Sequence, residues 1–194
     1  MEVLELLKRA IKACAEVIKW GGGIQEPTRK NLVKDLQGIC LNCEAAYDAV
    51  LKRLVPVKNA FSDKSKLALE LRKFASDSKT RDKFKPDRLC GQVDQLLTRL
   101  NSNLNPLKYS VDYRRIEGVR ESLNRFGSFD AAIFQSYDEL TSQLDQIATQ
   151  INDPALDCEE RARYAQHVIQ DFEAELRSAL TAVREAKTQA VEII

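Results

Sequence analysis

Residues 157–194 read DCEERARYAQHVIQDFEAELRSALTAVREAKTQAVEII, and within them Ala165, Ile169, Phe172, Leu176, Ala179, Val183, Ala186 and Ala190 recur alternately three and four residues apart. That spacing is an a/d heptad seam, and it predicts one helix about 50 Å long at 1.5 Å per residue. Alanine on the seam permits close approach, either to a helix of the same bundle or to a second copy of this one. The intramolecular pairing is the simpler expectation.

The rest of the chain repeats the pattern in shorter pieces with clear stops. Upstream of the seam, Phe129, Ala132, Ile133, Tyr137, Leu140, Leu144, Ile147 and Ile151 predict a sixth helix, capped by Ser128 and closed by Asn152-Asp153-Pro154. Tyr113, Ile116, Val119 and Leu123 predict a short fifth, stopped by Gly127. Leu89, Cys90, Val93, Leu96, Leu97, Leu100 and Leu104 predict a fourth that starts at Pro86-Asp87 and ends in Asn101–Pro106. A third, capped at Ser62-Asp63, holds Leu67, Leu71, Phe74 and Ala75 and fades in the charged run 77–85. The second is long: it opens at Glu26-Pro27-Thr28, carries Leu32, Val33, Leu36, Ile39, Cys40, Cys43, Tyr47, Val50, Leu51 and Leu54, and is expected to kink or end at Pro56. The first places Val3, Leu4, Leu7, Ile11, Cys14 and Ile18 on one stripe and ends in Lys19-Trp20.

Prolines fall at the ends of these segments or at the one expected kink, and no run alternates polar and apolar residues as a half-buried strand would. The expected fold is therefore all-α: an up-and-down bundle of about seven helices, long in the second and the last, forming a single domain over 1–194. Gly21, Gly22 and Gly23 follow the first helix directly. Three glycines cost roughly 1 kcal/mol each against alanine in a helix, so they read as a hinge that makes residues 1–20 a separable arm.

The net charge of +1 conceals a division. Residues 1–51 balance, residues 52–125 hold eighteen Lys/Arg against nine Asp/Glu, and residues 126–194 hold five against thirteen. The candidate partner-binding residues follow from this split: Arg114, Arg115 and Arg120 for a basic face, Glu159, Glu160 and Glu173 for an acidic one. Compensation of one by the other inside the bundle is the plainer expectation. Nucleic acid is not the expected partner, because no recognition motif accompanies the basic residues.

Several chemistries lack their residues. His167 is the single histidine, so neither a Glu-x-x-His di-iron site nor a convincing Ser-His or Cys-His constellation is read from the sequence. Phosphate-binding glycine loops and H-E-x-x-H are absent as well. The five cysteines are odd in number and lie within or beside helical stripes, so Cys40-Leu-Asn-Cys43 reads as core packing and a cytoplasmic location is expected. No catalytic residue, metal, cofactor or small-molecule substrate is expected.

Two functional expectations remain. The first is a non-enzymatic interaction or regulatory module that binds a protein partner or self-associates. The alternative is a membrane-directed effector acting through its N-terminal amphipathic helix, with Lys8, Arg9, Lys12 and Trp20 as the lipid contacts behind the glycine hinge. Glu2, Glu5 and Glu16 weaken the attraction of that helix to anionic lipid.

Overall fold

A computed structural model describes residues 2–20, 23–82, 86–104, 107–124 and 129–192, with side chains except those of 2–7, 20, 81, 86–91, 122–124 and 129–136. Gly21, Gly22, Gly127 and Ser128, on which a hinge, a stop and a cap were expected, lie outside these residues. The described chain contains helices and no strand. The helices are α1 (Glu2–Trp20), α2 (Glu26–Asn59), α3 (Lys64–Ala75), α4 (Ser78–Arg81), α5 (Pro86–Asn103), α6 (Ser110–Asn124), α7 (Phe129–Ile151) and α8 (Cys158–Val191). The protein is an all-α bundle.

The stops act where the side chains dictate. Asp63 and Asp157 take extended backbone and cap α3 and α8, accepting from the main-chain N–H of Lys66 and of Glu159 and Glu160. Pro56 does not end α2, which runs on to Asn59. In the last turn a proline removes one intrahelical bond, and burial of Leu54 and Val57 on either side holds the turn in register. The charged run after α3 contains one extra turn, α4, whose Thr80 hydroxyl donates to Asp77 at 2.6 Å.

Cross-helix contacts give the directions. Lys58 meets Glu173 and Lys187 meets Glu44, so α2 and α8 are antiparallel. Lys8 meets Ser178 and Lys19 meets Glu192, so α1 and α8 run parallel. Asp35 with Arg99 and Asn42 with Gln92 make α5 antiparallel to α2. The α8 seam closes inside its own bundle: every seam residue from Ala165 to Ala190 is buried, and α8 packs chiefly on α1 and α2.

At the middle stands α1, which touches α2, α5, α6, α7 and α8. Ala10, Ile11, Ala13, Cys14, Ala15, Val17 and Ile18 are buried, which at 100° per residue covers more than half the helix circumference. An amphipathic surface helix buries less of its girth. The second half of α1 is a core helix.

Candidate functional site

The residues expected to form a basic face lie on α6, but they do not act alike. Arg115 forms an ion pair with Glu16 and holds α6 to α1. Arg120 lies 3.8 Å from Asp94 on α5 and 3.7 Å from Glu117 on its own helix. Arg114 is exposed, with no ion pair among the described residues. The charge-based reading missed two side chains nearby in the chain, Val111 one turn before it on α6, at 78 % exposure, and Leu107 in the turn leading into α6, at 94 %. Lys108 lies over the Tyr109 ring, 5.6 Å from its centroid. Val111 falls off the Tyr113–Ile116–Val119 stripe, and that mismatch is the sequence signal that could have found it.

The acidic residues are also divided. Glu159 pairs with Lys64 at 3.2 Å, and the Glu160 side chain is exposed. Glu173 is no open acidic face: its side chain is 12 % exposed and accepts from Lys58 at 2.6 Å and from Arg177 at 2.7 Å. Hydrogen bonds from Lys58 and then Arg177 hold its carboxyl below the usual glutamate range, against the upward push of burial. Among the described residues, the basic middle meets the acidic last third directly at two pairs, Lys58 with Glu173 and Lys64 with Glu159. Other cross-helix pairs draw on the balanced N-terminal quarter, as Arg184 and Lys187 of α8 do with Glu44 and Asp48 of α2, or stay within the basic middle, as Arg120 does with Asp94.

At the other candidate site, Lys8 is half-buried and donates to Ser178 at 3.4 Å, while Arg9 and Lys12 are exposed. The Trp20 side chain lies outside the described residues. Gly23, with φ +88°, turns the chain after α1. The Arg29 guanidinium donates to the carbonyls of Ile18 and Lys19 at 2.5 and 2.8 Å, tying the start of α2 to the end of α1.

Cys14, Cys40 and Cys43 are free and buried. Burial pushes the thiols of Cys14 and Cys40 up to about 12, and that of Cys43 well above its ordinary value, so all three stay protonated and unreactive. Among the described residues no group of three His, Cys, Asp or Glu side chains is placed to hold a metal ion. His167 is exposed and 3.3 Å from Asp171, one turn along its own helix. An open groove of about 570 Å³ runs between the end of α3 and α7, but its Arg72 stands among Asp138 and Asp145, which leaves little net field for a charged ligand. No family model, curated protein or solved structure matches the chain.

Proposed function

We propose that this chain is a non-enzymatic helical interaction module, binding a protein partner or a second copy of itself, and that the outer face around the start of α6 makes the contact. One observation carries the reading: among the described residues the two most exposed large aliphatic side chains are Leu107, in the turn leading into α6, and Val111 in its first turn, one turn before Arg114, which has no ion pair among those residues. Covering a Val or Leu side chain is worth about 1.5–3 kcal/mol, and arginine is enriched at interface centres. A cytoplasmic location belongs to the same proposal, supported by the buried free thiols. Among the described residues no helix is long and apolar enough to cross a membrane.

The membrane-directed alternative is favoured by the exposed Arg9 and Lys12 on α1. It ranks second because α1 must first leave the core, uncovering Ile11, Val17 and Ile18 at about 1.5–3 kcal/mol each.

Site-specific photo-crosslinking separates the two. A benzophenone amino acid is placed at Leu107, at Val111 and, as a control, at the exposed Thr181 of α8, in the full chain within cell extract. Protein adducts from 107 and 111 that exceed those from 181 and weaken with Arg114→Glu are expected. Adducts equal at all three positions overturn the reading. Capture by phosphatidylserine vesicles that disappears on deletion of residues 1–23, while the remainder stays folded, places the membrane reading first.

A further inference from the structure

The outward stripe of α6 carries its own complement. Val111, Arg114, Gly118 and Glu121 recur three and four residues apart, so they stand on one face of the helix. All four are exposed, while Ile116 on the opposite face is buried. Arg114 and Glu121 lie two turns apart, about 10 Å along the axis, and neither forms an ion pair among the described residues. Between them stands Gly118. A Cβ built on it would meet nothing within 4 Å, so packing within the described bundle does not require a glycine there, although glycine is a poorer mid-helix residue than alanine.

The charges beside this stripe are engaged within the chain. Arg115 pairs with Glu16 on α1. Glu117 accepts from Asn101 on α5 and lies 3.7 Å from Arg120. The charges left open along the stripe are thus one cation and one anion, placed on either side of a bare stretch of backbone, with the exposed Val111 at the end nearer Leu107.

Resting on the reading that the outer face of α6 makes the contact, we infer that its occupant is a second copy of this chain, docked antiparallel, α6 on α6. A two-fold axis crossing the helix pair between positions 117 and 118 sets Arg114 of each copy opposite Glu121 of the other, which gives two ion pairs by symmetry. The same axis brings the two Gly118 backbones together at the crossing point, where the absence of side chains allows the short end of the usual 8–10 Å interaxial range. It also lays Val111 of each copy against the end of the other copy's α6, at position 124, so the apolar start of the helix is covered as well. A foreign helix would have to bring the reverse pattern of charges, whereas a second copy already holds it. An anionic lipid surface fits less well, because Glu121 stands on the same stripe.

Sedimentation equilibrium of the purified full chain tests the inference, and a monomer–dimer equilibrium is expected. Arg114→Glu and Glu121→Arg each replace two attractive contacts by two repulsive ones, and each is expected to weaken the dimer at least about tenfold. The swapped chain Arg114→Glu/Glu121→Arg restores both pairs and should recover the dimer. An equimolar mixture of the two single variants should form a heterodimer tighter than either variant's own dimer. Gly118→Leu fills the crossing point and should prevent association. Thermal melting checks that the variants fold, and should Gly118→Leu fail, the charge swap still decides. Four results overturn the inference: a monomer at concentrations up to about 1 mM, a dimer indifferent to the single charge variants, a swapped chain that stays monomeric, or capture of the monomer by phosphatidylserine vesicles through Arg114. The two proposals fail separately. A monomer whose crosslinks from positions 107 and 111 in cell extract go to other proteins removes the second copy and keeps the α6 contact, whereas equal adducts at 107, 111 and 181 remove the contact itself.

Discussion

The ring of Tyr109 lies against the main chain of Gly23 so closely that a Cβ built on the glycine would sit 2.4 Å from Tyr109 Cε2. With φ at +88°, Gly23 also occupies the left-handed region that other L-residues rarely adopt. The loop after α1 is thus pinned at this residue by the segment that leads into α6. Gly23→Ala is expected to destabilise the fold by about 1–3 kcal/mol, through backbone strain and overpacking together. Urea denaturation of Gly23→Ala, Tyr109→Ala and the double variant measures it. The overpacking part is relieved when the ring is absent, so the two changes together should cost less than their sum.

Arg29 makes a second lock a few residues on. The last carbonyls of a helix lack intrahelical donors, and here the guanidinium supplies them at Ile18 and Lys19. Arg29→Met is expected to lose about 1.5–3 kcal/mol, the range for hydrogen bonds to a charged group. Arg29→Lys should recover only part of that, because an ammonium is a compact charge without the planar fork. Equilibrium unfolding of the two variants beside the parent gives the comparison.

Glu173 ties stability to pH. Its folded carboxyl titrates below the usual glutamate value of 4.5, chiefly because Lys58 donates to its charged form, with Arg177 adding to it. A depressed folded value means stability that is fully present above the unfolded pKa and is lost as pH falls through the folded one. Glu173→Gln is therefore expected to cost about 1–3 kcal/mol at neutral pH. The difference between parent and variant should hold steady above about pH 5 and shrink below about pH 4. A difference that grows on acidification would show that the carboxylate does not carry the coupling.

The cysteines give a prediction about reactivity. Cys158 is only partly buried at the start of α8, where Lys64 Nζ lies 3.4 Å from its sulfur, whereas Cys14, Cys40 and Cys43 are buried. Iodoacetamide under native conditions, followed by peptide mapping, should modify Cys158 and leave Cys14, Cys40 and Cys43 intact until denaturant is added. Native modification of Cys40 or Cys43 would show that the interface of α1 and α2 opens.

The end of α2 and the place of α1 show how far local rules reach. Proline at 56 announces a break, yet it removes a single hydrogen bond, and its cost is set against the burial of Leu54 and Val57, which depends on other helices. In α1 the expected stripe of Ile11, Cys14 and Ile18 is present, but Ala10, Ala13, Ala15 and Val17 are buried beside it. Alanine is equally at home inside and outside, so composition does not reveal that a helix is surrounded.

The candidate sites were less legible still. Arg114, Arg115 and Arg120 are indistinguishable in charge, and whether each is available depends on the presence of Glu16 on α1 or Asp94 on α5 within reach. Glu173 resembles Glu159 and Glu160 in the sequence and differs from them in lying at the contact between α8 and α2.

By itself the sequence determined the helices other than α4, most of their ends, and the cap at Asp63, because spacing three and four apart and main-chain capping are properties of a few consecutive residues. It also determined the α8 seam. Only the tertiary structure decided that α1 is central, that the seam closes within the same chain, and which charges remain unpaired. Those depend on side chains such as Lys8 and Ser178, or Glu44 and Lys187, that are more than a hundred residues apart in the chain and meet only when the helices pack.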